Sequence, residues 1–280
     1  MPSAAVPPVR TIEVGVRGGA LQIDVAGRGP PLVLLHGWAL DRRIWQHQMG
    51  ALSRQFEVVA LDRRGFGRST APPDLAAEID DLLIVRRVLG LGPMTLVAMS
   101  QAGRVALHFA LAHPESACGL VLQGAPLDGF LPEPRQEDAI PISSYAALAR
   151  RGELERLKEM WRRHALMEAD AAEDRALLDT LLDAYEARDL VAARTPALGS
   201  IAERLDDAFL PVLVMTGERD TAWRQLVGDA LAYGLPHARR ARIGGAPHLC
   251  NLTHPAEFNA LVAGFASRLG QEAAAARQPQ

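Results

Sequence analysis

The chain has 280 residues, of which 49% are hydrophobic and 22% are charged, a balance typical of a globular protein with a sizeable core. Its 30 basic and 33 acidic residues leave a formal net charge of −3, and neither sign gathers into a long block. This pattern gives no electrostatic reason to expect a nucleic acid or an anionic membrane as partner, so a small molecule is the expected ligand.

No segment indicates export, a membrane span or a metal centre. Residues 1–10 contain no apolar run of signal-peptide length, and no stretch of 18 consecutive apolar residues occurs. Cys118 and Cys250 lack the spacing of a disulfide framework or a zinc site. We therefore expect a cytoplasmic protein without a metal site.

The first part of the chain, up to about residue 126, alternates short apolar runs with stretches of helical periodicity. This alternation is typical of β-α-β units and predicts a mostly parallel sheet. Two alternating segments ahead of it, 11–16 and 20–25, predict an antiparallel edge hairpin. Strands covered on both faces are predicted at 32–35, 58–61, 95–98 and 119–122, with helices at 44–52, 75–89 and 104–112.

The strand pattern disappears between residues 127 and 208, where charged sequence of helical period predicts an all-helical insertion, mainly at 153–167 and 172–188. Strands are predicted again at 212–215 and 239–243. A closing helix is expected over 255–269, and the polar tail from Glu272 is expected to fray.

These elements together predict an α/β fold with a mostly parallel central sheet and helices on both of its faces. Residues 1–126 and 209–280 are expected to form the core, and residues 127–208 a helical cap inserted after the sixth strand.

The sharpest chemical signal is Ser100, which stands between the predicted strand 95–98 and the predicted helix 104–112. A strand-turn-helix at this point projects one side chain from the sheet edge and requires small residues two positions before and after it. Ala98 and Ala102 meet that size rule, although glycine is commoner there. Helix capping is the alternative role for this serine.

A serine nucleophile needs a base that is oriented by a carboxylate, in the chain order serine, acid, histidine on this kind of sheet. Asp220 follows the strand 212–215, and His248 follows the last strand in a Gly-Gly-Ala-Pro-His loop. Their order predicts a triad of Ser100, Asp220 and His248. His237 and His254 remain alternative bases, although a capping role suits His254 better.

Attack on a carbonyl creates an oxyanion that backbone N–H groups stabilise. Gln101 follows the candidate nucleophile, and Trp38 lies in the loop after the third strand, so their amides are the predicted oxyanion-hole donors. The Trp38 indole is expected to shape the pocket, with a core role as the alternative. His36 is interpreted as a hydrogen-bonded structural histidine.

With these residues the chain resembles the α/β-hydrolase superfamily from about residue 21 to 269. Two further segments carry the resemblance: Asp62-Arg63-Arg64-Gly65-Phe66-Gly67-Arg68-Ser69 is similar to the family's turn after the fourth strand, and His113-Pro114-Glu115 to the end of the elbow helix. The resemblance implies a hydrolase that needs no metal or organic cofactor, with its pocket between sheet edge and cap. A serine at position 100 departs from the haloalkane dehalogenases and epoxide hydrolases, which use a carboxylate.

Within the serine branch, residues 36–45 and 248–251 are similar to segments of 3-oxoadipate enol-lactonases and small carboxylesterases. The resemblance implies cleavage of a small-molecule ester or lactone. Carbon–carbon bond hydrolases and cofactor-free perhydrolases or haloperoxidases share the same triad and remain alternatives, as does a non-catalytic ligand-binding role, against which an intact triad weighs.

Several cap residues are candidates for substrate contact. The residues expected to line the substrate pocket are Trp38 from the core and Tyr145 and Trp161 from the cap. The alternative for the aromatic side chains is that they pack in the apolar interior of the cap. His164 and Tyr185 belong to the same cap group. Arg162, Arg163 or another cap arginine is a candidate ligand for a substrate carboxylate, because a guanidinium matches a carboxylate bidentately. We prefer the interpretation that these arginines lie on a solvent-exposed helix face.

Overall fold

The computed structural model describes residues 7–135, 138–193 and 197–275, with side chains up to residue 271. It contains one eight-stranded sheet in the order β1-β2-β4-β3-β5-β6-β7-β8. The strands are β1 (Arg10–Val16), β2 (Gly19–Ala26), β3 (Pro31–Leu35), β4 (Glu57–Leu61), β5 (Met94–Met99), β6 (Ala117–Gln123), β7 (Val212–Gly217) and β8 (Ala238–Ile243).

Strand β2 pairs antiparallel with both β1 and β4, and every other neighbouring pair is parallel. The α-helices are α1 (Gln46–Leu52), α2 (Ala77–Leu89), α3 (Ala102–Ala112), α4 (Ile142–Arg150), α5 (Leu154–Arg162), α6 (Ala172–Asp183), α7 (Arg188–Val191), α8 (Ala222–Gly234), α9 (Cys250–Thr253) and α10 (Pro255–Ala275). Short 3-10 helices span Arg42–Trp45, Ala165–Met167 and Ala202–Asp207.

The side chains of the central strands alternate between two apolar layers. In β5, Leu96 and Ala98 pack with α2, α3 and α8, whereas Val97 and Met99 pack with α1 and α10 on the opposite face. Strands buried on both faces are therefore apolar throughout, which is why their sequences read as continuous hydrophobic runs. The predicted fold class, a mostly parallel sheet with helices on both faces, is confirmed.

The segment between β6 and β7 contains α4 to α7 and no β-strand among its described residues. Buried side chains of its helices, among them Tyr145, Trp161 and Leu182, join the same apolar layer as Met99. Buried side chains near its two ends, such as Leu127 and Leu205, join the opposite layer. We use the name cap for residues 127–208, and the division into a core and a cap domain stays a prediction.

Most element boundaries differ from the prediction by one or two residues, and three larger or more informative differences have a physical reason. The helix expected over 44–52 begins as a 3-10 helix because the Asp41 side chain caps it by accepting from the Arg43 amide. The helix expected over 172–188 is interrupted between α6 and α7, where Ala187 adopts a left-handed φ of 53°. The closing helix expected over 255–269 extends to Ala275 because alanine favours helix. Residues 276–280 lie outside the described part, and fraying of the tail stays a prediction.

Candidate active site

Ser100 occupies a tight turn between β5 and α3. Its φ of +50° lies in the left-handed region, which is uncommon for a residue other than glycine and places its side chain at the carboxyl edge of the sheet. The turn is held by the Ser100 amide, which donates to Gln123 O at 2.7 Å. Ala98 and Ala102 are fully buried, so larger side chains would not fit beside this turn.

His248 and Asp220 meet at the same edge of the sheet. Nδ1 of His248 lies 2.8 Å from Oδ2 of Asp220, and both side chains are buried. Oδ1 of Asp220 accepts from the Thr221 amide at 2.8 Å, so the carboxylate is held on both oxygens. Because Nδ1 donates to the carboxylate, Nε2 of His248 is the ring atom left to accept a proton.

Ser100 and His248 line one small cavity of about 10 Å³, together with Trp38, Trp161 and Leu249. A space of this size holds about one water molecule. The structure therefore brings the three predicted triad residues to one edge of the sheet, and two of them to one cavity. A larger cleft of about 420 Å³ lies alongside, and Trp38 lines both spaces.

Gly124 packs directly against the His248–Asp220 pair. It follows β6, has a φ of +53°, and a Cβ atom built on it would lie 2.5 Å from His248 Cε1 and 3.1 Å from Asp220 Oδ2. Only glycine lets the backbone approach the imidazole so closely. The sequence analysis missed this residue, although a glycine directly after a strand next to the elbow strand is a readable signal.

The loop that carries His248 is supported by a buried polar network. Gln123 Nε2 donates to His248 O at 3.1 Å and to Asn251 Oδ1 at 2.9 Å, and Gln48 Nε2 donates to Asn251 O at 2.9 Å. All three polar side chains are fully buried. Such networks fix one arrangement because a buried donor left without a partner is costly.

The Trp38 and Gln101 amides are available as donors beside Ser100. Within the described ranges, neither amide donates a hydrogen bond to a main-chain oxygen. The two residues lie in the turns after β3 and β5, and these strands are neighbours in the sheet. Two free N–H groups flanking a serine can stabilise an oxyanion.

The Trp38 indole is enclosed by cap side chains. Tyr145 stacks on it with ring centroids 5.9 Å apart, and Trp161 and Tyr185 meet it edge to face at 4.8 Å and 5.8 Å. Its Nε1 donates to Asp189 of α7 at 2.6 Å, a partner that the sequence analysis missed. Trp161 lines the cavity at Ser100, whereas Tyr145 lies behind the indole.

The two cap arginines singled out from the sequence have acidic partners within the cap, whereas His164 packs behind a residue that lines the cavity. Arg162 pairs with Asp179 and Asp183, and Arg163 pairs with Glu159. His164 packs against Trp161, with ring centroids 4.8 Å apart.

The other three histidines considered from the sequence lie away from Ser100 or are bonded elsewhere. His237 is exposed and immediately precedes β8, so it lies at the sheet edge opposite to Ser100, and Nδ1 of His254 contacts Thr253 Oγ1 at 2.9 Å. His36 is fully buried: it bonds Gly37 O at 2.8 Å and accepts from the Arg63 amide at 3.0 Å. Burial, with the charge of Arg63, lowers the pKa of His36 to about 3.

Two classes of feature are missing from the part of the chain that the structure describes. No group of three or more histidine, cysteine, aspartate or glutamate side chains is arranged to hold a metal ion. Among the same residues, no helix has both the length and the apolar character needed to cross a membrane.

This fold and site define a known class of protein. The profile of the alpha/beta hydrolase fold family matches residues 30–255. The match spans most of the chain, and the chain therefore belongs to the α/β-hydrolase family.

Curated relatives extend the similarity to nearly the full length. A pimeloyl-acyl-carrier-protein methyl ester esterase of Chromobacterium violaceum is 29% identical over 248 residues, which cover 85% of this chain and 94% of the relative. A 2-hydroxy-6-oxononadienedioate/2-hydroxy-6-oxononatrienedioate hydrolase of Burkholderia vietnamiensis is 28% identical over 281 residues, covering 93% and 95%. Among solved structures, an esterase of Rhodococcus sp. ECU1013 aligns with a TM-score of 0.75 and 26% identity, over 93% of this chain and 99% of that one.

Proposed function

We propose that this protein is a serine hydrolase that cleaves a carboxylic ester or lactone of a small molecule through an acyl-enzyme on Ser100. The observation that carries the proposal is that Ser100, in a left-handed turn, shares one cavity with His248, whose Nδ1 lies 2.8 Å from Asp220 Oδ2. The similarity to named esterases of the same family supports the choice of an ester bond.

In the acylation step, Nε2 of His248 takes the hydroxyl proton as Ser100 Oγ attacks the substrate carbonyl carbon. The Trp38 and Gln101 amides donate to the resulting oxyanion. When the tetrahedral intermediate collapses, the bond to the leaving oxygen breaks and His248 returns the proton to that oxygen. Asp220 keeps the imidazole in the tautomer with Nδ1–H throughout.

In the deacylation step, water takes the place of the alcohol. His248 removes a proton from the water, whose oxygen attacks the acyl carbon, and the same two amides stabilise the second oxyanion. Collapse breaks the bond to Ser100 Oγ, which recovers its proton from His248. The products are a carboxylic acid and free enzyme, and each proton transfer passes through His248.

The test is hydrolysis of a p-nitrophenyl ester series from acetate to decanoate, in the presence of a chelator, by the wild type and by Ser100→Ala. Removal of a triad serine is expected to lower turnover about 10⁶-fold. Ser69→Ala is a matched control, because Ser69 is a buried serine whose hydroxyl donates to Asp62 O instead of facing the cavity. Equal rates for the wild type and Ser100→Ala would contradict the proposal.

A second candidate is hydrolysis of a carbon–carbon bond by the same residues. It is favoured by the similarity to the Burkholderia vietnamiensis enzyme, whose named substrate carries a ketone and two carboxylates but no ester. Incubation with a 2-hydroxy-6-oxo dienoate and analysis of products distinguishes the two activities, because only carbon–carbon cleavage releases a carboxylic acid and a 2-hydroxydienoate from it.

A non-catalytic ligand-binding role is the remaining alternative. A fluorophosphonate probe phosphonylates an activated serine and leaves an inert one unmodified. Labelling of the wild type together with its loss in Ser100→Ala would exclude this role. Labelling of neither protein would support it.

A further inference from the structure

Arg63 joins the two loops that carry the candidate oxyanion amides. Its Nη1 donates to His36 O at 3.0 Å, in the loop of Trp38, and to Gln101 Oε1 at 3.1 Å, on the residue after Ser100. Its own amide donates to His36 Nε2 at 3.0 Å. One residue of the turn after β4 is therefore bonded to both sides of the oxyanion site.

The guanidinium is itself held in one orientation. Nε and Nη2 donate to the two carboxylate oxygens of Glu78 in α2, at 2.7 Å and 3.1 Å, and the Arg63 side chain has no solvent exposure. A bidentate pair of this kind fixes the plane of the guanidinium and leaves Nη1 aimed at the two loops. Ion pairing alone does not account for this arrangement, because both partners lose their hydration when they are buried.

The neighbouring arginine provides a comparison. Arg64 forms a similar bidentate buried pair with Asp81, but its Nη1 donates to Arg17 O, away from Ser100. The two pairs lie in the same turn and pack against the same helix. The two pairs differ in the acceptors of Nη1. Of the two arginines, only Arg63 bonds to both loops that carry the candidate oxyanion amides.

We propose that Arg63 is a positioning residue for the oxyanion hole, which sets the separation of the Trp38 and Gln101 amides by bonding to His36 O and to the Gln101 side chain. This inference rests on the proposed serine-hydrolase function. Arg63 is fully buried and does not line the cavity at Ser100, so it is not proposed to contact substrate. Its contribution acts in the transition state, because the distance between the two amides matters when the carbonyl oxygen becomes charged.

The test compares Arg63→Met/Glu78→Leu with Arg64→Met/Asp81→Leu. Each double variant removes a whole buried ion pair, so neither leaves an unpaired charge to unfold the protein. We measure kcat and KM for p-nitrophenyl acetate, and inhibition by a trifluoromethyl ketone, which adds to the serine as a tetrahedral oxyanion. A matched methyl ketone reports binding without the oxyanion.

The Arg63→Met/Glu78→Leu variant is expected to lose about 10- to 100-fold in kcat and a similar factor in trifluoromethyl ketone affinity, with KM and methyl ketone affinity changed less than about threefold. The Arg64→Met/Asp81→Leu variant is expected to keep the wild-type ratio of the two ketone affinities. Equal ratios in all three proteins would overturn the proposal, even if both double variants melt earlier than the wild type.

A single substitution tests the same link without touching the buried pair. Gln101→Met keeps the backbone amide and the length of a half-buried side chain but removes the acceptor of Arg63 Nη1. It is expected to lower kcat about tenfold without raising KM. An unchanged kcat would overturn the proposal, should Arg63→Met/Glu78→Leu fail to fold.

Failure of the proposed function gives a different result. Ser100→Ala is carried through the same experiment with a fluorophosphonate probe. If Ser100→Ala is labelled like the wild type, the nucleophile is wrong and the oxyanion site has no role to position. If Ser100→Ala loses labelling while the Arg63 variants match the wild type, the serine hydrolase stands and only the role of Arg63 is wrong.

Discussion

The indole nitrogen of Trp38 donates a 2.6 Å hydrogen bond to Oδ2 of Asp189, which lies in the cap helix α7. The other oxygen of this carboxylate accepts from the Tyr185 hydroxyl, also at 2.6 Å. Burial raises the pKa of the Tyr185 phenol well above its usual value, so the hydroxyl keeps its proton and donates. The cap thus holds the side chain of the residue whose amide is a candidate oxyanion donor.

Asp189→Ala is expected to lower the free energy of unfolding by about 2–4 kcal/mol, because it leaves the Trp38 and Tyr185 donors without their acceptor. Urea denaturation followed by tryptophan fluorescence measures the change. Asp183→Ala is the control: this exposed carboxylate of α6 pairs with Arg162, and its loss should cost less than about 1 kcal/mol. Equal decreases in the free energy of unfolding of the two variants would show that the hydrogen bonds of Asp189 to Trp38 and Tyr185 do not contribute more than an exposed ion pair.

Gly124→Ala is expected to reduce kcat at least about 100-fold, because the new methyl group would overlap His248 Cε1 and displace the ring from Asp220. Gly152→Ala is a matched control. Gly152 also has a positive φ, +76°, but nothing lies within 4 Å of a Cβ built on it. Ester hydrolysis compared at equal folded fraction separates backbone strain from the clash, and similar activities of the two variants would contradict the prediction.

Asp220→Asn is expected to lower kcat about 10⁴-fold at neutral pH while the fold persists, because an amide in this place favours the wrong tautomer of His248. Asp229→Asn, which alters a half-exposed carboxylate paired with Arg240 and Arg242, should leave kcat unchanged. The measurement is ester hydrolysis together with near-UV circular dichroism. A loss below about tenfold in Asp220→Asn would argue that another carboxylate orients the histidine.

His36 should make stability depend on pH. Its pKa is lowered to about 3 in the folded protein because burial disfavours the charged ring, whereas the unfolded chain has the ordinary value of 6.5. Between about pH 3 and pH 6.5 the His36 ring is therefore protonated in the unfolded state but neutral in the folded state. Stability falls as the pH drops below 6.5, by about 1.4 kcal/mol per unit for this group.

Urea denaturation of the wild type and His36→Gln between pH 7.5 and pH 5 checks this. Burial also lowers the pKa of His164, which adds to the slope in both proteins, so the difference between the two slopes isolates His36. His36→Gln is expected to be less stable at pH 7.5 but to lose less stability on acidification. Parallel curves would mean that His36 takes up its proton in the folded state.

The apolar runs and the helical periods were enough to predict the sheet, the helices on its faces and the helical character of residues 127–208. These features depend on local pattern, since a strand buried on both faces must be apolar along its length. Local pattern also explains why Ser100, Asp220 and His248 could be proposed as a triad, because each follows a strand whose carboxyl end faces the same edge of the sheet.

The boundaries that were wrong depend on contacts or on single residues. The helical periodicity of residues 172–188 continues through Ala187, which adopts a left-handed conformation and interrupts the helix. Hydrophobic periodicity does not predict such a backbone break. The start of the helix at Arg42 depends on a cap from Asp41. The closing helix continues past residue 269 because the following residues are rich in alanine, which favours helix.

What the sequence by itself determined is the fold class and the three residues proposed to carry the chemistry, since strand order and loop position follow from local patterns. Only the tertiary structure decided which side chains support them. Gly124 against His248, Arg63 between the two oxyanion loops and Asp189 beneath Trp38 are contacts across distant parts of the chain. Such contacts depend on close packing and on the cost of burying an unpaired polar group. Neither effect produces a periodic pattern in the sequence from which the contact could be predicted.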